Sequence, residues 1–160
     1  KNYSSLHTDI AKSSLSLLLV ETLQNALKED FKDLDFYRFL VNAADWLDAN
    51  DRLGHFNIVF LLGLSRFLGI EPQNNYSEGS VFDLNEGVFI AAENLNSCLS
   101  ISRSFCLNQY LGIDFDSSLA IQSNKAQRME LMQSLLNYLE IHLENFYTPK
   151  SFAVLKDLYA

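Results

Sequence analysis

The segment at residues 52–68, RLGHFNIVFLLGLSRFL, constrains the fold more than any other part of the chain. Between residues 56 and 64 it is apolar on nearly every side of a helix. Such a helix must be covered on most of its surface by other elements. With Gly69 and Pro72 as helix-ending residues, the sequence predicts a central helix in a bundle.

Apolar residues recur at helical spacing in five further segments. Thr8 and Asp33 are the predicted N-caps of the first two, and Thr148 with Pro149 is predicted to begin the last. The predicted helices lie at residues 8–30, from 33 onward, 99–111, 123–145 and from 148 onward. The segment DFDSSLAIQS at residues 114–123 is interpreted as a linker.

One short segment, VFDLNEGVF at residues 81–89, breaks the helical pattern. Apolar residues alternate on both sides of Asn85-Glu86-Gly87, which is typical of two strands joined by a turn. A three-residue loop with glycine at the left-handed position is a common hairpin connection. The sequence therefore predicts a mainly α fold, an irregular helical bundle with one small inserted β-hairpin.

Composition limits the classes of function. The 160 residues predict one domain, and no apolar run approaches the roughly 20 residues that span a bilayer. No signal peptide is visible, and because the chain begins with Lys1 rather than Met, we expect a fragment of a longer protein. The formal net charge of −8 argues against a domain that grips DNA by itself, although a local basic patch remains compatible with it.

The cysteines and histidines do not form a metal-binding pattern. Cys98 and Cys106, eight residues apart on one predicted helix, would lie about 12 Å apart, too far for a disulfide. They are interpreted as buried structural thiols in a reducing compartment. His7, His55 and His142 are scattered without ligand spacing. We therefore expect no metal and no cofactor.

The acidic and histidine side chains offer no catalytic group that stands out. Motifs for nucleophilic hydrolysis, phosphate loops and zinc proteases are missing from the sequence. Asp45 and Asp48 fall one helical turn apart, where a carboxylate pair binds a metal or shares a proton, but a solvated helix face is the preferred interpretation. His142 lies among apolar residues and is interpreted as a core or helix-end histidine with a satisfied hydrogen bond rather than a general base.

Two groups of cations are candidates for binding. Arg66 ends the apolar helix beside Phe67, where it is either an exposed arginine that covers apolar surface or a clamp for a carboxylate at the mouth of an apolar groove. Arg103, Lys125 and Arg128 are the clearest basic cluster away from acids. If the helix at 99–111 packs beside the start of the helix at 123–145, these three share one face and are predicted to contact nucleic acid.

Five quoted segments, in order along essentially the whole chain, carry a resemblance to a known family. They are AKSS at 11–14, HFNIVFLLGLSRFLG at 55–69, FDLNEG at 82–87, YLEIHLENF at 138–146 and KSFAVLKD at 150–157. Together they resemble the C-terminal helical region of RecO, the bacterial recombination mediator, in its Bacteroides-type form. Many RecO proteins carry a zinc-ribbon-like insertion built on paired cysteines where this chain has its hairpin. The resemblance thus implies a metal-free remnant, held by Phe82 and Phe89 packing on helices.

The family also implies a role and partners. RecO proteins begin with an oligonucleotide-binding barrel of roughly 80 residues; nothing here resembles it, so we expect that this chain lacks it and that single-stranded DNA is bound mainly there. RecO-like proteins help replace single-stranded-DNA-binding protein (SSB) with recombinase during gap repair, work with RecR and anneal strands. This implies a non-enzymatic DNA repair role in the cytoplasm at the nucleoid.

The helical domain of this family receives the C-terminal tail of SSB, an acidic peptide that ends in Phe. Such a peptide needs an apolar pocket for its aromatic ring and a cation for its terminal carboxylate. We expect Phe67 as the pocket wall and Arg66 as the cation, with Arg38 as the alternative. A helical adaptor or regulatory module of unknown pathway is the second interpretation. An all-helical enzyme is the third, disfavoured because no polar constellation is visible.

Overall fold

The computed structural model describes residues 3–28, 31–91 and 97–158. These residues contain seven helices and one two-stranded antiparallel hairpin, which confirms the predicted mainly α fold. The helices are α1 (Ile10–Ala26), α2 (Leu34–Ala49), α3 (Phe56–Phe67), α4 (Ile101–Tyr110), α5 (Phe115–Ser118), α6 (Lys125–His142) and α7 (Ser151–Leu158), and the strands are β1 (Val81–Asp83) and β2 (Val88–Ile90). Residues 29 and 30, at the predicted end of the first helix, lie outside the described residues, and α1 ends before them.

Helix α3 is the central element, as the sequence predicts. Nine of its twelve residues are buried, and α2, α5 and α6 pack around it. It begins at Phe56 rather than at residue 52, because Leu53, Gly54 and His55 form a turn closed by a hydrogen bond from the Phe56 amide to the Leu53 carbonyl (3.1 Å). Its C-terminal end is closed by Gly69 with φ 74°, the left-handed conformation expected of a helix-ending glycine.

An aromatic cluster joins α2, α3 and α5. The ring centroids of Trp46 and Phe56 lie 5.7 Å apart, and Phe115 lies 5.0 Å from Phe56 and 5.5 Å from Trp46. The interpretation of residues 114–123 as a linker is therefore wrong in its first part, since α5 forms there with Asp114 as its N-cap. A four-residue helix is too short to show periodicity, and it is held mainly by the burial of Phe115.

The hairpin packs against α6. Phe82 and Phe89 are buried, and the Phe82 ring lies 5.8 Å from the ring of Tyr138, which supports the expected packing on helices. Gly87 has φ 69°, and a Cβ there would lie 2.6 Å from the Tyr138 hydroxyl. His142 is half-buried and its Nε2 lies 2.8 Å from the Leu84 carbonyl oxygen, in agreement with a histidine whose hydrogen bond is satisfied.

Neither cysteine forms a disulfide among the described residues, and the two do not share a helix as predicted. Cys98 precedes α4 and pairs with Asp83 in an isolated β-bridge, which extends the hairpin by one contact. Cys106 lies within α4 and is buried. Burial raises the pKa of both thiols, so both are less readily ionised than an ordinary cysteine.

Asp48 is half-exposed on α2, but its carboxylate also binds the segment before α1, which the interpretation as a solvated helix face did not include. Its Oδ1 accepts hydrogen bonds from the Ser5 amide (2.9 Å) and the Ser5 hydroxyl (2.7 Å). Buried Lys12 donates from Nζ to the Asp48 carbonyl (2.9 Å) and lies 3.5 Å from Asp51. These contacts attach the segment before α1 to the end of α2.

The structure agrees with one of the three predicted helix starts and shifts the other two. Asp33 caps α2 as predicted. The cap of α1 is Asp9 rather than Thr8, whose hydroxyl instead donates to the Ser4 carbonyl (3.0 Å). The last helix begins at Ser151 rather than at Thr148 or Pro149, because the amide of Ser151 finds its acceptor on α1, the Glu21 carboxylate, at 3.0 Å.

Within the described residues, no group of three or more His, Cys, Asp or Glu side chains is placed to hold a metal ion. The metal-free character of the hairpin stays a prediction. None of the described helices combines the length and the apolar composition needed to cross a bilayer.

Candidate functional site

The first candidate site is a groove beside the C-terminal half of α3, here called the Arg66 groove. Arg66 and Phe67 both line it, together with apolar residues of α2 and α3 and residues 110–115, around a volume of about 280 Å³. The structure thus brings together two of the three residues expected to bind a peptide tail. Arg38 does not line this groove, and its Nη1 pairs with Asp35 at 2.8 Å on the exposed face of α2.

The Arg66 groove is not electrostatically suited to an acidic ligand. Arg66 is already paired with Glu71, through Nε at 3.0 Å and Nη2 at 2.9 Å. Asp114 also lines the groove, and hydrogen bonds from Ser117 lower the pKa of its carboxyl group, which therefore stays ionised. With two carboxylates and one cation, an anionic peptide gains little there.

The predicted basic cluster is divided. Helix α4 packs on α6 as the prediction required. However, Arg103 meets Glu130 of α6, with Nε 3.0 Å from its carboxylate, and it lines none of the cavities bordered by the other two cations. Lys125 and Arg128 lie together at the N-terminal end of α6, whose first turn is closed by a capping box formed by Asn124 and Gln127.

Lys125 and Arg128 border a second groove, here called the α6 groove. It is lined by Leu15, Leu53, Gly54, Asn57, Ile58, Lys125, Arg128, Met129, Met132 and Leu155, around about 90 Å³. No carboxylate occurs among these residues. Gly54 lets the side chain of Arg128 lie close to the backbone, since a Cβ at Gly54 would be 2.9 Å from Nε of Arg128.

The buried amide side chain of Asn57 lines the α6 groove. Asn57 is 7% exposed and its Nδ2 contacts the sulfur of Met132 at 3.7 Å. Its Oδ1 is buried and has no hydrogen-bond partner among the described residues. A buried acceptor of this kind costs about 1–3 kcal/mol if it stays unsatisfied, so a ligand that donates a hydrogen bond would relieve that cost.

A polar pocket adjoins the α6 groove, with which it shares Gly54 and Arg128. It is lined by Arg52, Gly54, His55, Ser123, Arg128 and residues 119–122, around about 470 Å³. Arg52 donates from Nη2 to the Leu119 carbonyl (3.2 Å), and Arg128 donates to the Ser123 carbonyl. His55 Nδ1 lies 2.7 Å from the Tyr110 hydroxyl. Burial lowers the pKa of His55, and Arg128 and Arg52 lower it further.

Sequence analysis missed Arg52, Leu53 and Asn57 as site residues and treated His55 only as a scattered histidine. All four belong to RLGHFN at residues 52–57, immediately before and at the start of the most apolar helix of the chain. The polar residues of this segment are the sequence feature that indicates a site, because they directly precede a buried helix. Their association with α6 is a property of the tertiary fold and has no counterpart in spacing along the chain.

Comparison with known proteins identifies similar chains. The sequence model of the family described as "Recombination protein O C terminal" matches residues 7–151. The chain is 34% identical over 158 residues to the "DNA repair protein RecO" of Christiangramia forsetii and 30% identical over 158 residues to that of Flavobacterium psychrophilum. Each match covers 99% of this chain and 66% of the relative, so the chain spans slightly less than two thirds of these proteins. No solved structure matches it significantly.

Proposed function

Because the chain belongs to the RecO C-terminal family, we propose that it is the helical, partner-binding part of a DNA repair and recombination mediator that is not an enzyme. In this role the whole protein helps load recombinase onto SSB-coated single-stranded DNA, anneals strands and works with RecR. DNA contact lies mainly in an N-terminal barrel outside this chain. The name of the relatives, DNA repair protein RecO, supports the pathway.

For the helical domain itself, the proposed ligand is the acidic SSB tail that ends in Phe, and the proposed receptor is the α6 groove. One observation carries this choice. Two cations, Lys125 and Arg128, lie beside an apolar lining that contains no carboxylate. A guanidinium group binds a terminal carboxylate through parallel hydrogen bonds. The apolar side chains below it are suited to an aromatic ring.

Two further features of the α6 groove support peptide binding. The unsatisfied Oδ1 of Asn57 is an acceptor for a peptide N–H. Met129 and Met132 line the groove, and unbranched methionine side chains adapt their shape to a ligand more readily than branched ones. This adaptability matters because the groove is smaller than the Arg66 groove, at about 90 Å³ against about 280 Å³.

The Arg66 groove, with Arg66 as cation and Phe67 as wall, is the alternative receptor. Its larger volume favours it, but the carboxylates of Glu71 and Asp114 oppose an acidic peptide. Charge is the stronger criterion here, because like charges at a binding surface suppress association and oppose docking.

Calorimetry with a short acidic peptide ending in Phe tests the receptor and its location. Lys125 and Arg66 are both exposed, so Lys125→Glu and Arg66→Glu make the same charge change at the two grooves with little expected effect on folding. We expect Lys125→Glu to weaken binding about tenfold or more, roughly 1.5–3 kcal/mol, and Arg66→Glu to leave it nearly unchanged.

The opposite pattern would assign the peptide to the Arg66 groove. A peptide without the terminal Phe is the control for nonspecific charge attraction and should bind much more weakly. If the wild-type chain binds neither peptide, the tail-receptor role is wrong for this domain. The helical adaptor of unknown pathway then becomes the better proposal.

A further inference from the structure

The five arginines of the chain fall into two classes. Three are paired with a carboxylate: Arg38 with Asp35, Arg66 with Glu71 and Arg103 with Glu130. Among the described residues, Arg52 and Arg128 instead donate to neutral oxygens, the carbonyls of Leu119 and Ser123 and the Ser123 hydroxyl. Both of these arginines border the same polar pocket.

The polar pocket concentrates positive charge in an acidic chain. No carboxylate occurs among its lining residues, although the chain carries a formal net charge of −8. The Leu119 carbonyl accepts from one nitrogen of Arg52 and the Ser123 carbonyl from one nitrogen of Arg128, so each guanidinium group is held in position at the pocket. Donors that are already oriented lose little side-chain freedom on binding, and their planar geometry is suited to phosphate oxygens.

Neutral hydrogen-bonding groups complete the pocket. Ser123 Oγ lies 3.2 Å from the Tyr110 hydroxyl, which in turn lies 2.7 Å from Nδ1 of His55. These two contacts hold the imidazole of His55 in place through Nδ1 at the edge of the pocket. Burial keeps the pKa of His55 low, so near neutral pH the charge of the pocket comes from the two arginines.

From these contacts we infer that the polar pocket binds a phosphate group of the backbone of single-stranded nucleic acid, through the guanidinium groups of Arg52 and Arg128. This inference goes beyond the proposed peptide role, because the pocket shares only Gly54 and Arg128 with the α6 groove. Nucleic acid is favoured over an acidic peptide because the lining is mainly polar and offers little apolar surface for a side-chain anchor.

The interaction is expected to be weak in the isolated domain. One or two phosphate contacts supply only a small counterion-release effect, about 0.7 in the slope of log K against log salt for each phosphate of a single strand. The negative charge of the rest of the chain opposes binding further. The pocket therefore supplements a stronger nucleic-acid contact elsewhere rather than replacing it.

NMR titration of the ¹⁵N-labelled 160-residue chain at low salt tests the inference, first with inorganic phosphate and then with a short oligothymidylate. We expect both probes to shift the amide resonances of Arg52, His55 and residues 119–124. Fluorescence anisotropy with the same labelled oligonucleotide should show several-fold weaker binding for Arg52→Gln and a salt slope lower by about 0.7. Arg38→Gln removes the same charge elsewhere and should leave the affinity within about twofold.

Three outcomes would overturn the inference. Equal losses in Arg52→Gln and Arg38→Gln would mean that only net charge matters. Shifts with inorganic phosphate alone would assign the pocket to a free anion. Larger shifts at Arg52 and His55 with the acidic peptide than with the oligonucleotide would assign it to the peptide. The test is separate from that of the peptide receptor, because Lys125 lines the α6 groove and Arg52 does not.

Discussion

At the scale of single residues, Lys12 is unusual because it is buried, and a lysine is almost never buried unless its ammonium group has partners. It is 2% exposed, and its Nζ donates to the Ser5 hydroxyl (3.0 Å) and the Asp48 carbonyl (2.9 Å). The nearby carboxylate of Asp51 is almost fully exposed, so hydrogen bonding rather than ion pairing accounts for most of the stabilisation.

Replacement of Lys12 by Met keeps most of the buried volume and removes both hydrogen bonds. We expect Lys12→Met to lower the free energy of unfolding by about 1–3 kcal/mol, since the Asp48 carbonyl and Ser5 hydroxyl lose a charged donor. Lys32→Met, at an exposed lysine, should change it by no more than about 0.5 kcal/mol. Urea unfolding followed by circular dichroism measures both, and equal midpoints would show that the contacts of Lys12 contribute nothing.

Some residues of the candidate sites could be predicted from sequence and others could not. Arg66 and Phe67 line the same groove because both belong to the last turn of α3, and their role in binding stays a prediction. The pairing of Arg66 with Glu71 was not predicted, although the two are only five residues apart, since it depends on the turn at Gly69. Arg52 and Arg128 are 76 positions apart in the sequence numbering, and only the packing of α3 on α6 brings them together.

At the scale of elements, the hairpin depends on one glycine. Gly87 combines a positive φ of 69° with a close approach to the hydroxyl of Tyr138, which donates to the Ile70 carbonyl at 2.9 Å. Gly79 has a similar φ of 79° but no atom within 4 Å of the position that a Cβ would take. A side chain at Gly79 would therefore meet only backbone strain, whereas a side chain at Gly87 would meet backbone strain and a steric clash.

Alanine at each position measures these two effects. Gly79→Ala should cost about 1 kcal/mol of stability, the penalty of a left-handed conformation for a residue with a Cβ. Gly87→Ala should cost at least about 1 kcal/mol more, because Tyr138 must move and its hydrogen bond to Ile70 is strained. Chemical denaturation of the two variants gives the difference directly. Equal losses would mean that the hairpin adapts without disturbing α6.

The elements divide clearly into those that sequence predicts and those that it does not. Helix α3 was predicted from a long apolar run followed by Gly69 and Pro72, and the hairpin from apolar residues that alternate on both sides of a turn. Helix α5 was missed because four residues show no period, and its anchor Phe115 is indistinguishable in sequence from a loop aromatic. Helix α7 was predicted to begin too early, because Thr148 bonds to Glu140 of α6 instead of capping its own helix.

At the scale of the whole molecule, carboxylates join distant parts of the chain. Glu21 on α1 accepts from the Ser151 amide (3.0 Å) and hydroxyl (2.8 Å) at the start of α7. These hydrogen bonds lower the pKa of Glu21. Because its folded pKa is below its unfolded one, the stabilisation is fully present above the unfolded pKa of about 4.3 and is lost as pH falls through the folded pKa.

We therefore expect Glu21→Gln to make the chain less stable at pH 7. The variant should also lose less stability than the wild type between pH 5 and pH 3, the range in which the lowered pKa of Glu21 makes its stabilisation depend on pH. Thermal unfolding across this range measures the effect. Glu78→Gln, at an exposed loop position, is the matched charge change and should follow the wild-type profile. A Glu21→Gln profile parallel to the wild type would show that the contact with α7 does not depend on ionisation.

The position of Arg128 between the α6 groove and the polar pocket has a thermodynamic consequence. One guanidinium group carries one charge, so a ligand that neutralises it in one site reduces the attraction that remains for an anion in the other. If both proposed ligands bind as described, their affinities are linked negatively and by the same factor in each direction. A protein with this arrangement would release nucleic acid as it captures an acidic tail, and the reverse, with no change in the conformation of its backbone.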